Sequence, residues 1–244
     1  MSAESVVVSL ERGVGLVSVQ QGDSSIDRGA LLDRFLAALE DLGGSADIYC
    51  VALEGLAFVG PHDYGLQTEC PPIPRSASGA TDLSPLRRAI IRSMLEMDKP
   101  VVGLLAGRIA GFALDVALAC DIRVAAESTR VQVDFVERGS LPGHGTPWHL
   151  AQLVGRGRAA ELAFCAGELD VVEARRLGLV TLSVSSDELG IAGRKLARHI
   201  AVRYGGTTPF ARRLRGVLAM GQTQSIFGLD HGAVLGPGVA RTLN

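Results

Sequence analysis

The sequence is poor in the features that would point to a metal, a disulfide framework or a membrane. Its four cysteines, Cys50, Cys70, Cys120 and Cys165, are scattered without a CxxC pair, which excludes zinc-ribbon and thioredoxin-type motifs. Three of them stand in apolar runs, so buried, reduced thiols are expected. No apolar run approaches the ~20 residues that span a bilayer. The first residues lack the basic-then-apolar pattern of a secretory leader, and a cytoplasmic chain is expected. HExxH, P-loop and GxGxxG patterns are all missing, so no metal and no nucleotide redox cofactor is implied. Nor is there an excess of positive charge. Against 26 acidic residues stand 24 basic ones, a net charge of −2, which argues against a nucleic-acid face or an anionic-membrane binder.

What is present is an α/β pattern in a chain of 244 residues, long enough to bury a core without metal or disulfide support. Residues 6–10 and 14–20 are β-branched runs split by Glu11-Arg12-Gly13, a hairpin signature. Residues 31–42 carry leucines and Phe35 on one helical stripe, which Gly43-Gly44 is expected to stop. A short apolar strand at 48–53 follows. Residues 60–80 hold prolines at 61, 71, 72 and 74 and read as a long irregular loop, a kind that is usually functional. A helix is predicted from Ser84, with Pro85 at its first position, to Met97. Strands are predicted at 101–105, 122–125 and 131–133, and a helix at 111–119. Such alternation implies βαβ units and a largely parallel sheet. Beyond about Pro147 the pattern turns helical, with helices at 159–165, 171–177, 191–204 and 209–220. The expected division is a core over 1–185 and a helical region over 186–244.

Two segments place a strand directly ahead of a glycine-containing turn. The first is Gly55-Leu56-Ala57-Phe58-Val59-Gly60-Pro61-His62-Asp63. The second begins at Lys99-Pro100, continues through Ala106-Gly107 and Gly111-Phe112-Ala113-Leu114-Asp115, and ends at Cys120-Asp121-Ile122. Further on stand Asp134-Phe135-Val136-Glu137-Arg138-Gly139-Ser140-Leu141-Pro142-Gly143-His144-Gly145-Thr146 and Cys165-Ala166-Gly167-Glu168. By spacing alone, these are as compatible with ordinary strand-to-helix turns as with a site. Together, and in register over residues 6–184, they resemble the crotonase (enoyl-CoA hydratase/isomerase) family. Its pattern is G-x-x-F-x-A-G-x-D, then K-P-strand-N-G-x-x-x-G-G-G-x-E, then C-D-I, then P-E-x-x-x-G-x-x-P-G-x-G-G.

The resemblance implies a spiral of ββα units with a C-terminal helical region that packs subunits into trimers or hexamers. It also implies an acyl thioester substrate, with CoA or phosphopantetheine belonging to the substrate rather than acting as a cofactor. An oxyanion hole would be built from the backbone N–H groups of Gly60 and Phe112. Pro61, beside the first donor, replaces a turn glycine of the family. The two catalytic glutamates of the hydratases fall at Asp115, one methylene shorter, and at Phe135, which cannot transfer a proton; Glu137 lies two residues on. Phe135 and the sequence after it also resemble the decarboxylating homologues of polyketide β-branching cassettes, which act on glutaconyl-type groups on an acyl carrier protein. In that reading His231 matches their late histidine, Tyr64 a polar pocket residue, and Arg75 is the loop cation nearest to their lysine. Ser24-Ser25-Ile26, in place of the family's N-A-[LM] signature, leans toward a carrier protein. The expected function is therefore decarboxylation and/or dehydration of a branched acyl thioester. An ordinary enoyl-CoA hydratase or isomerase and a catalytically silent thioester-binding homologue are the alternatives. His62 and His144 are further candidates as pocket residues, His144 as a local base. Asp121 is expected to be structural. His149 is expected on a helix surface, and Arg12, Arg28, Arg87 and Arg88 on solvated faces.

Overall fold

Two successive residues with positive φ start the architecture. Arg12 (48°) and Gly13 (80°) form the two-residue turn between β1 (Ser5–Glu11) and β2 (Val14–Gln20), antiparallel strands in which Glu11 pairs with Val14. Positive φ at both positions matches the strand twist, the usual solution for so short a hairpin. The computed structural model describes residues 5–20, 28–59, 83–134, 145–165 and 167–205. After the hairpin come α1 (Arg28–Gly44), β3 (Cys50–Glu54), a 3-10 turn (Leu56–Val59), α2 (Ser84–Glu96), β4 (Val101–Leu105) and β5 (Arg108–Ile109). Next are α3 (Phe112–Ala119), β6 (Ile122–Ala126), β7 (Arg130–Val133), α4 (Thr146–Val154) and α5 (Arg156–Phe164). The described chain closes with β8 (Gly167–Asp170), α6 (Val171–Arg176), β9 (Leu182–Val184) and α7 (Leu189–Gly205). The helix expected at 209–220 lies outside the described residues.

The strands form a six-stranded sheet in the order β1-β2-β3-β4-β6-β9, parallel apart from the first hairpin, and a three-stranded sheet β5-β7-β8. Alternation along the parallel strands sends side chains to opposite faces. On one face Val51, Leu53, Val101, Leu105 and Ala125 meet α1, α2 and α3. On the other, Cys50, Ala52, Val102, Leu104, Val124 and Ala126 meet Leu189, Ala197 and Ala201 of α7. A Cβ at Gly193 would come within 2.4 Å of the Leu104 side chain, so α7 lies close on the sheet only because that residue is glycine. Both faces of the sheet are covered, as purely apolar parallel strands require.

Two polar ties fix the middle of the sheet. Lys99 is buried and its Nζ donates to the carbonyls of Leu42 and Ser45, satisfying groups that the end of α1 leaves without intrahelical donors. Asp121 accepts the Val101 N–H at 2.7 Å and donates its own N–H to the Val101 carbonyl at 2.9 Å. Its structural role stands as expected. The cysteines divide. Cys50 and Cys120 are buried, but Cys165 is exposed at the end of α5, whose buried face is Ala159 and Leu162 while Phe164 also turns outward. Burial and the nearby Asp121 charge push the Cys50 thiol up to about 12, so it stays protonated and inert.

Gly55 ends β3 with φ +74°, and a Cβ there would lie 1.9 Å from the Val19 carbonyl oxygen. No rotation of an L side chain relieves a clash with backbone. Gly55→Ala is expected to destabilise the fold by about 3 kcal/mol in denaturant unfolding. Gly157→Ala on α5, where a Cβ meets nothing within 4 Å, is expected to be neutral or slightly stabilising.

Candidate active site

The site is built where β5 hands the chain to α3. Gly111 precedes the helix with φ 56° and ψ −131°, a conformation open essentially to glycine alone. This turn redirects the chain so that Phe112 becomes the first helical residue, and the Gly111 carbonyl accepts the N–H groups of Leu114 (3.0 Å) and Asp115 (3.3 Å). The Phe112 amide therefore sits at the positive end of the helix dipole. Asp115, three residues on, falls within the first turn. All eight residues of α3 are buried, and Asp115 is the single charged group among them.

A carboxylate 4% exposed needs partners, because an ion removed from water without compensation is strongly disfavoured. Three features supply them. Thr146, fully buried at the first position of α4, donates its hydroxyl to Asp115 Oδ1. The helix N-terminus adds a favourable field. The guanidinium of Arg87, on α2, lies close enough to interact with the Asp115 charge while it stacks 5.5 Å from the centroid of the Phe112 ring. Burial pulls the Arg87 guanidinium down, Asp115 pulls it up, and Arg28 pulls it down again. Even so, a guanidinium in a protein stays charged.

Arg87 and His149 correct the sequence reading. Neither lies on a solvated face: Arg87 is 8% and His149 5% exposed. Arg12 and Arg88 are exposed as expected. The stripe Arg87, Ile90, Ile91, Met94 on α2 has helical spacing, as do Thr146, His149 and Leu150 on α4. Each stripe runs i, i+3, i+4, and the polar member was the only reason to turn it outward. Burial pushes the His149 imidazole down to about 4; the Arg123 charge adds to that and Asp115 opposes it. Its Nε2 has no hydrogen-bond partner among the described residues, and the ring meets Trp148 edge-on at 5.1 Å. A neutral, apolar-packed imidazole is the form the fold accepts.

Of the other candidates, Gly60, His62, Tyr64 and Arg75 lie outside the described residues, beyond the 3-10 turn. So do Phe135, Glu137 and His144, between β7 and α4, and His231. The structure thus unites Phe112 and Asp115 and adds Thr146, Arg87 and His149, which the sequence reading had not placed in the site. Among the described residues no group of three or more His, Cys, Asp or Glu side chains is arranged to hold a metal.

The sequence profile of the enoyl-CoA hydratase/isomerase family matches residues 30–205, the stretch that builds this geometry. The chain belongs to that family. It is 35% identical over 134 residues to a crotonyl-CoA hydratase of Syntrophomonas wolfei, covering 52% of each chain. It is 32% identical over 127 residues to the mitochondrial methylglutaconyl-CoA hydratase of Rattus norvegicus, covering 52% of this chain and 40% of that one. The chain thus spans about half the length, or less, of these curated relatives. The crystal structure of an enoyl-CoA hydratase from Mycobacterium avium subsp. paratuberculosis superimposes with a TM-score of 0.70 at 21% identity, over 93% of this chain and 91% of that one. At that identity the likeness shows the crotonase-like fold alone.

Folding holds His149 neutral, with a value near 4 against 6.5 when exposed. As pH falls, the unfolded chain takes up a proton first. Stability is therefore full above about pH 6.5 and is lost as pH falls toward 4, by about 3 kcal/mol in all. The His149→Leu variant is expected to lose about 2 kcal/mol less than the wild type between pH 7 and pH 4.5, read by urea unfolding at each pH.

Proposed function

We propose that the chain is a lyase acting on acyl thioesters through an enolate, with Asp115 as the group that moves the proton. The observation that carries this reading is the Asp115 carboxylate, alone and buried in an apolar helix, one turn after the Phe112 amide and held by Thr146. Buried, specifically partnered titratable groups concentrate at functional sites. In the reaction the substrate Cα–H bond breaks and its proton goes to the Asp115 carboxylate. The electron pair moves to the thioester oxygen, which the backbone N–H groups of Gly60 and Phe112 receive. A pre-aimed donor of this kind contributes about 3 kcal/mol. If the substrate carries a β-hydroxyl, the enolate collapses, the Cβ–O bond breaks, and Asp115 returns its proton to the departing oxygen as water. One carboxylate suffices for that sequence, which fits Phe135 at the position of the second glutamate.

The acyl group we infer is a branched, glutaconyl-type one, on CoA or on an acyl carrier protein, as in polyketide β-branching. The similarity to a methylglutaconyl-CoA hydratase supports that acyl class and a hydration or dehydration step. Loss of CO2 is the second reading, favoured by Phe135. There Arg75 would hold the carboxylate and His231 would protonate the carbanion, with Tyr64, His62 and His144 as further candidates. Hydration of a simple enoyl-CoA is the remaining alternative.

The deciding assay offers 3-methylglutaconyl-CoA, 3-hydroxy-3-methylglutaryl-CoA and crotonyl-CoA to the wild type and to Asp115→Asn, following water addition or loss and CO2 release separately. Interconversion of the first two without CO2, with kcat reduced at least ~100-fold in Asp115→Asn, is expected. Equal turnover by the two proteins removes Asp115 from the chemistry. CO2 release unaffected by the substitution selects the second reading.

A further inference from the structure

Thr146 stands where the family pattern quoted above has its last glycine, and Asp115 where it has glutamate. The structure connects the two departures. Thr146 is the first residue of α4, set by Gly145 at φ 109°, and its side chain is 0% exposed. Its hydroxyl donates to Asp115 Oδ1 across the contact between α4 and α3. A carboxylate one methylene shorter sits closer to its own helix and leaves room toward α4; the threonine side chain occupies the facing position that a glycine would leave bare. The N-cap position of α4 is Gly145, so Thr146 stands just inside the helix.

We propose that Thr146 is a positioning residue for Asp115. This rests on the reading of Asp115 as the proton-transfer group. A hydroxyl is suited to the task because it is a neutral donor that brings no charge of its own into the buried site. It donates to Asp115 as a carboxylate. Once Asp115 has taken the substrate's proton on its other oxygen, Oδ2, the Oδ1 atom is still an acceptor and the same hydrogen bond persists. The side chain keeps one orientation through both protonation states, and Thr146 neither gains nor loses a proton. Misplacement of a catalytic group by an ångström lowers rate steeply, so loss of this hydrogen bond acts on turnover more than on binding.

The test compares the wild type with Thr146→Val, Thr146→Ser and Asp115→Asn, on whichever of the three thioesters named above the wild type turns over fastest. Thr146→Val keeps the volume and loses the hydroxyl; a 10- to 100-fold fall in kcat with KM within twofold is expected. Thr146→Ser is expected to recover kcat to within about threefold of wild type, which a merely space-filling role would not predict. Thermal unfolding supplies a readout independent of activity. The Tm loss of the Thr146→Val/Asp115→Leu double variant is expected to be smaller than the sum of the Thr146→Val and Asp115→Leu losses, because the two side chains share one interaction and leucine, unlike asparagine, leaves no acceptor. Wild-type kcat in Thr146→Val overturns the proposal, as do additive Tm losses or a serine variant as slow as the valine one. If Thr146→Val is unaffected while Asp115→Asn is inactive, only the role of Thr146 falls. If the wild type turns over none of the thioesters, the proposed function falls and this inference falls with it.

Discussion

A single carboxylate inside an apolar helix is the constraint around which this chain is arranged. Asp115 is almost wholly buried, so the surrounding elements must stabilise its charge. α4 supplies a hydroxyl, α2 a guanidinium, and the start of α3 its dipole. Each of those elements is set by a backbone requirement nearby. Gly111 and Gly145, both at positive φ, allow α3 and α4 to begin where they do. Pro85 in the first turn of α2 starts the helix that carries Arg87. The glycines and the proline are thus upstream of the electrostatics: they decide which side chains face Asp115.

Most of the layered fold was legible because it rests on local patterns. The hairpin, α1, α2, β4, α3, β6, β7 and α7 follow from alternation, helical stripes and turn residues. The strands β5, β8 and β9 were not foreseen. They are two to four residues long, too short for a period to declare itself, and they exist because neighbouring strands offer them partners. Gly43 and Gly44, expected to stop α1, are its last two residues. The Lys99 side chain that satisfies the Leu42 and Ser45 carbonyls at that end comes from a distant part of the chain, so no local pattern announces it.

The candidate site was legible in part, and for a different reason. Phe112 and Asp115 came from ordered motifs, not from periodicity. Arg87 and His149 escaped because each was judged by its polarity instead of by its neighbours, and Thr146 because it figured only as the last residue of a motif. A basic or polar residue in line with an apolar stripe is ambiguous in sequence: it either ends the stripe or is the polar member of a buried cluster. The arithmetic that settles it needs a second charge, and here that is Asp115, 28 positions after Arg87 and 34 before His149. No local window holds both.

The close seat of α7 has a consequence for how the chain may be handled. Cys50, Ala52, Val102, Leu104, Val124 and Ala126 present one continuous apolar surface, and among the described residues α7 is the element that shields it. A fragment ending before Leu189 would retain every described residue around Asp115, yet turn a whole sheet face to solvent. Such a surface invites aggregation, so the residues around Asp115 cannot be isolated as a minimal soluble unit by trimming the chain at that point.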